Sequence, residues 1–195
     1  MDALEAAIDQ MLESDVAVLD GWIDGSVLDA LYAQLLALEQ AGDLAPAGIG
    51  RGHDKSVQSE IRSDLTRWWA DPPEHAAELL YLSCIRALSD RINRICFAGI
   101  SSEELLYASY PEGAFYRRHL DRFSSDSSRK ISVITYLNRG WNPAEDGGEF
   151  VAYTPNGPVH VAPVWGRTVF FRSEVLEHEV LPARRSRRSV TGWLR

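Results

Sequence analysis

His119 and Asp121 stand two residues apart in the segment Arg118-His119-Leu120-Asp121. On a strand such a pair points to one side, so an imidazole and a carboxylate meet at one interior point and form half of a metal site. His178 follows several strand-like segments later, where the opposite wall of a barrel returns a third ligand to that point. Two histidines and one carboxylate on one octahedral face leave three positions for other ligands, which suits Fe(II), with zinc as the competing occupant. Arg187 adds a planar guanidinium able to pair with a carboxylate through two hydrogen bonds. In Arg187 to Leu194, alternation puts Arg187, Ser189, Thr191 and Trp193 on one face and Arg188, Val190, Gly192 and Leu194 on the other. The first face is the better pocket lining, which favours Arg187 over Arg188.

The elements that must position these groups change character along the chain. Leu4, Ile8 and Leu12 recur at helical spacing, and Leu28, Leu31, Leu35, Leu36 and Leu38 do so again after Asp24 as N-cap. Asp15 to Ile23 reads as a short strand between them, and Gly42 to Lys55, rich in glycine, as an exposed loop. Ile61 to Trp69 reads as a strand. Pro72-Pro73 ends it and opens a helix from Glu74 to Phe97, with Leu79, Leu82, Ile85, Leu88, Ile92 and Ile95 as its packing face. Beyond Glu104 the pattern becomes short strands: Leu105 to Tyr110, Phe115 to Asp121, Ile131 to Leu137, Glu149 to Tyr153, Pro158 to Ala162, Thr168 to Arg172 and Arg187 to Leu194. Turns such as Asp146-Gly147-Gly148 and Pro155-Asn156-Gly157 separate them. Helices first and strands afterwards predict an α+β, mainly β chain: an antiparallel sandwich or barrel with helices on one side.

Composition narrows the function classes. The 195 residues suit a single domain, 1–195, with helical support over about 1–100 and a β core over about 101–195. With 28 acidic against 20 basic residues, the net charge of -8 argues against general attraction to nucleic acid or anionic lipid. No apolar run reaches membrane length, and Met1 to Gln10 is acidic where a secretory signal is basic and then apolar, so the chain reads as cytoplasmic. Cys84 and Cys96, in an apolar stretch without a CxxC pair, are expected as buried reduced thiols.

Taken in order, YPEGAFYRRHLD (Tyr110 to Asp121), ISVITYLNRGW (Ile131 to Trp141), DGGEF (Asp146 to Phe150), TVFFRS (Thr168 to Ser173) and HEVLPARRSRRSVTGW (His178 to Trp193) resemble the 2-oxoglutarate-dependent oxygenases. The likeness is to their prolyl hydroxylase branch, which includes the hypoxia-sensing enzymes of animals and bacterial relatives. It implies a double-stranded β-helix, or jelly roll, with N-terminal and buttressing helices. Fe(II) is then held by His119, Asp121 and His178. Oxoglutarate is met by Arg187 and Tyr136, with Ile134, Val180 and Thr191 lining its pocket. Oxoglutarate and O2 yield succinate and CO2, with ascorbate as an auxiliary reductant. Ile61-Arg62-Ser63-Asp64 is similar to the segment that closes over a bound peptide, which makes Arg62 and Asp64 substrate candidates together with Tyr116, Arg129 and Trp193. The implied partner is a protein carrying a target proline, and the bacterial relatives point to elongation factor Tu. The likeness departs at Arg122 to Arg129, serine-rich where the family has an Asn-Pro-containing loop, and after Leu194, where no helix follows.

Other features read as ordinary structure. His53, His75 and His160 are surface histidines, and Gly48 to Gly52 lacks the strand and helix of a phosphate loop. Arg184, Arg185 and Arg188 form a solvated turn rather than a nucleic-acid patch. Tyr110 and Tyr116 read in isolation as half-buried strand residues, and Trp68, Trp69, Trp141 and Trp165 as packing at element ends, with Trp68 alone having a claim on substrate. Two further readings stand beside the prolyl hydroxylase: the same cofactors with another side chain, a small molecule or an alkylated base as target, and a non-catalytic metal- or ligand-sensing module. The full set His119, Asp121, His178, Arg187 and Tyr136 argues against the last.

Overall fold

The structure, a computed structural model, describes residues 2–48, 58–121 and 128–195. The glycine run from position 49, His53 and the serine-rich stretch 122–127 lie outside the described residues.

Two long helices and a shorter one cover one side. Helix α1 (Ala3–Ser14) is capped by Asp2, whose side chain accepts from the Glu5 N–H at 2.8 Å. Strand β1 (Val16–Leu19) leads to α2 (Gly25–Ala41), which starts at the predicted cap Asp24 and ends at Gly42 in a left-handed conformation. After the short β2 (Ala45–Pro46) and β3 (Leu65–Trp68), helix α3 (Ala76–Cys96) begins later than the prolines suggested. His75, expected as a plain surface residue, is its N-cap. The buried stripe of α3 is Tyr81, Leu82, Ile85, Leu88 and Ile92, whereas Leu79 and Ile95, at the ends of the predicted face, are exposed. Leu12 of α1 is likewise exposed, and Met11 is buried in its place. Cys84 and Cys96 are free thiols packed against the edge of this core and only half-buried.

The remaining strands are β4 (Glu103–Tyr110), β5 (Tyr116–His119), β6 (Ile131–Tyr136), β7 (Phe150–Thr154), β8 (Gly157–Val161), β9 (Thr168–Arg172), β10 (Glu177–Val180) and β11 (Arg187–Leu194), with the one-turn helix α4 (Pro143–Asp146) after β6. They form two open antiparallel sheets rather than a closed barrel. The larger has the order β1-β9-β6-β11-β4-β3-β2 and the smaller β5-β10-β7-β8. The crossovers between the sheets make the double-stranded β-helix, and β1 to β3 from the helical third extend its larger sheet.

Packing divides the interior in two. The helices bury Ile8, Leu31, Leu35, Ile85, Leu88 and Ile92 against Tyr107, Val133, Phe170, Val190 and Leu194 on the outer face of the larger sheet. At about 25 cal/mol per Å² of apolar surface, this is where the fold gains most of its stability. Between the sheets, Ile134, Phe150, Val169 and Phe171 form a second cluster, and Leu106, Ala108, Tyr110, Val180 and Trp193 a third towards the mouth. The space that these last two groups leave is the cleft.

Candidate active site

Strand β5 and the residues just past it carry His119 and Asp121, and β10 carries His178. Glu177–Val180 was not legible as a strand, because its inward positions are a histidine and a valine between glutamates. Nor does His178 return from an opposite wall: β10 is hydrogen-bonded beside β5, with His178 directly across from His119. One ligand atom from each of His119, Asp121 and His178 lies within 4.8 Å of the others. His119 Nε2 is 3.5 Å from Asp121 Oδ1, and His178 Nε2 is 3.7 Å from Asp121 Oδ2. The Nδ1 of His119 lies 2.7 Å from the Arg117 carbonyl and that of His178 lies 3.1 Å from the Leu176 carbonyl. A carbonyl only accepts, so each Nδ1 carries a proton, which leaves Nε2 as the ring atom that a metal in the centre would use.

Electrostatics favour the same state. Burial, with a contribution from His119, pushes His178 down to about 4, against the pull of Asp121, so the ring is neutral near pH 7. Burial works to raise Asp121, but the two histidines and the Ser132 hydroxyl outweigh it and hold the carboxyl ionised, well below the usual carboxylate range. Two imidazole nitrogens and one carboxylate are a donor set that fits a divalent ion such as Fe(II).

Deeper in the cleft Arg187 is buried, 1% exposed, with its guanidinium 4.9 Å from the ring centres of both Tyr110 and Tyr136. Its Nε donates to the Gly148 carbonyl at 3.0 Å. Arg187 Nη2 and the Tyr136 hydroxyl have no hydrogen-bond partner among the described residues. A buried cation with no carboxylate beside it is costly, and an anion in the cleft would relieve that cost. Gly148 (φ +67°) makes the seat possible: a Cβ there would stand 2.7 Å from Ala183 Cβ and 3.4 Å from Arg187 Cδ. The glycine pair after Asp146 was legible only as a turn.

All the candidate residues line this cleft except Tyr136, whose ring centre is 4.9 Å from the Arg187 guanidinium, and Arg129, which lies over Trp193. Ile134, Val180 and Thr191 form its walls. Tyr110, read as a half-buried strand residue, is buried and also lines it, a role that its spacing from His119 did not reveal. At the mouth Tyr116 stacks on His119 with ring centres 3.5 Å apart, and Arg62 lies 4.2 Å over Tyr116. Arg62 is tied to Asp64 by two hydrogen bonds of 2.8 and 2.6 Å. Burial works against its charge, but Asp64 outweighs it and holds Arg62 above its ordinary value. Asp64 is buried and both of its carboxylate oxygens accept from Arg62. Trp68, partly exposed, packs 5.7 Å from Trp193, over which Arg129 lies at 3.6 Å while pairing with Glu104.

Comparison with known proteins agrees with this geometry. Residues 105–195 match the profile of the 2OG-Fe(II) oxygenase superfamily. The chain is similar to a crystal structure of a Pseudomonas putida prolyl-4-hydroxylase at 37% identity and a TM-score of 0.91, covering 100% of both chains. It is also similar to a Trichoplax adhaerens prolyl hydroxylase, solved in complex with a hypoxia inducible factor oxygen degradation domain peptide fragment, at 27% identity and a TM-score of 0.87, covering 98% of this chain and 88% of that one. A hypoxia-inducible factor prolyl hydroxylase of Caenorhabditis elegans is 27% identical over 200 residues, which is 97% of this chain but only 28% of that protein's length.

Proposed function

The chain belongs to the 2OG-Fe(II) oxygenases as a homologue of their prolyl hydroxylases, and from that premise we propose that it hydroxylates a prolyl residue of a protein substrate, converting 2-oxoglutarate and O2 to succinate and CO2. The observation that carries this reading is the buried, anion-seeking Arg187 in the same cleft as a triad of two histidines and one carboxylate.

In this reading His119 and His178 donate their Nε2 lone pairs and Asp121 a carboxylate oxygen to Fe(II). Arg187 and Tyr136 receive the far carboxylate of oxoglutarate, which gives partners to both orphaned polar atoms. Ile134, Val180 and Thr191 confine its chain and keep water out. When bound, iron with oxoglutarate supplies the oxidative chemistry that the side chains lack. Tyr116, Arg62, Trp193 and Arg129 shape the entrance for the peptide, with Asp64 setting the Arg62 guanidinium. Their aromatic faces and cations suit an extended segment carrying a proline. Elongation factor Tu is the substrate that the bacterial prolyl hydroxylases suggest, ascorbate serves as auxiliary reductant, and 1–195 acts as one oxygenase domain in the cytoplasm. No helix among the described residues is long and apolar enough to cross a membrane.

Anaerobic titration of the metal-free protein with Fe(II) and then 2-oxoglutarate tests the cofactor half without any substrate. A visible charge-transfer band is expected. A folded protein that binds metal but gives no band would refute the oxoglutarate assignment and leave a metal-binding module. For the substrate half, Arg62→Ala should weaken binding of proline-containing elongation factor peptides about tenfold while leaving the band intact, the scale of a lost hydrogen-bonded charge. Unchanged peptide affinity would remove Arg62 from the entrance.

A further inference from the structure

Asp121 is tied by its side chain to the larger sheet. Its Oδ2 accepts a hydrogen bond from Ser132 Oγ at 2.7 Å, and Ser132 Oγ lies 2.7 Å from Ser173 Oγ. Both serines are 0% exposed. A hydroxyl has one proton, and an ionised carboxylate can only accept. Ser132 therefore spends its proton on Asp121, and its oxygen accepts the proton of Ser173, so the chain runs in one direction from Ser173 through Ser132 to Asp121. Hydrogen bonds to an ionised acceptor are about twice as strong as neutral ones.

The anchorage of this relay is rigid. Ser132 lies within β6, paired with Phe171 of β9 on one side and Trp193 of β11 on the other. Ser173 directly follows β9, and its N–H donates to the Lys130 carbonyl at 3.0 Å. Asp121, by contrast, stands past the end of β5, with Arg129 reaching its backbone carbonyl only at 3.4 Å. A carboxylate in that position turns freely about its side-chain bonds unless something holds it. Ser132 fixes Oδ2, which also lies 3.7 Å from His178 Nε2, while Oδ1 lies 3.5 Å from His119 Nε2.

We propose that Ser132 and Ser173 are positioning residues that fix the orientation of the Asp121 carboxylate towards His119 and His178. Holding Oδ2 between the Ser132 hydroxyl and His178 sets the plane of the carboxylate, so that the ligand arrangement would be in place before an ion binds. This inference rests on the metal-centre reading above and concerns the geometry of the centre, not the identity of the substrate.

Anaerobic Co(II) titration, with the visible absorption of the bound ion as a geometric readout, tests it on the full chain. Ser132→Ala should lower Co(II) affinity about 10- to 100-fold, the usual loss when a partner of a metal ligand is removed, and change the absorption envelope. Ser173→Ala, which leaves the Asp121 contact in place, should shift both in the same direction by a smaller factor. Thermal unfolding of the metal-free variants checks that they fold, and Ser173→Ala decides alone where Ser132→Ala does not. Wild-type affinity and spectrum in folded variants would overturn the relay, even if their stability falls. Failure of the unaltered protein to bind Co(II) would instead overturn the metal centre, and the relay with it.

Discussion

Strand β11 has two buried faces with opposite contents. Towards the helices, Val190 and Leu194 are fully enclosed, and the one cation, Arg188, is paired with Glu39 of α2 through bonds of 2.8 to 3.0 Å. Gly192 sits on that face because a Cβ would stand 2.3 Å from Leu105 Cδ2 and 2.8 Å from the Glu104 carbonyl oxygen. Among the described residues, the buried groups without a hydrogen-bond partner on the helix side are the neutral tips Tyr107 Oη and Trp69 Nε1. Towards the cleft, Arg187 is more deeply buried than Arg188, yet it has no ion-pair partner among the described residues, and the Trp193 Nε1 is also unsatisfied. Folding alone pairs the charge on the first face. The second is left with charge and hydrogen-bonding capacity that a ligand must complete, which is the physical difference between a core and a site.

That contrast makes cleft substitutions defects of binding and helix-side substitutions defects of stability. The largest expected effect is that of His178→Ala, which removes a ligand from the centre: Fe(II) binding and turnover should be abolished while far-ultraviolet circular dichroism stays native. Arg187→Ala should leave Fe(II) binding intact and weaken 2-oxoglutarate by about 2 kcal/mol or more, roughly 30-fold, measured by titrating the charge-transfer band. Next comes a dependence on pH. His178 titrates at about 4 when folded and near 6.5 when unfolded, so between these values the unfolded chain binds a proton that the native one does not. Stability of the metal-free protein should therefore fall as pH drops from 6.5 towards 4, and His178→Gln should flatten that part of a urea-denaturation profile. The smallest effect is expected from Ile85→Val on the helix side, about 0.5–1.5 kcal/mol of stability with unchanged Fe(II) affinity. A shift in Fe(II) affinity there would show that the two faces are not independent.

How much of this was legible depended on the pattern of each element. Thr168–Arg172 and Arg187–Leu194 have the bounds that alternation predicts, and the division of β11 into two faces follows from the same period of two. Strand β10 was missed because a strand read from apolar alternation needs apolar residues, and this one turns a metal-ligand candidate inward. Tyr110 and Tyr136 have the same type and similar strand settings, but both meet Arg187, and nothing local tells which tyrosine will.

The chemistry of His119, Asp121, His178 and Arg187 is a property of residue type, helped for His119 and Asp121 by their spacing of two, and the helix-then-strand order that leads to a mainly β fold with helices on one side is a property of local pattern. Strand order and register are not, because they depend on contacts between residues far apart in the chain. Pairing of β5 with β10 sets His178 across from His119 rather than on an opposing wall. The stacking of two open sheets brings Ser132 and Ser173 to Asp121, and seats Arg187 against Gly148 with a hydrogen bond still to make. A serine in ISVITY is one strand residue among six until long-range pairing gives its single proton a carboxylate to meet.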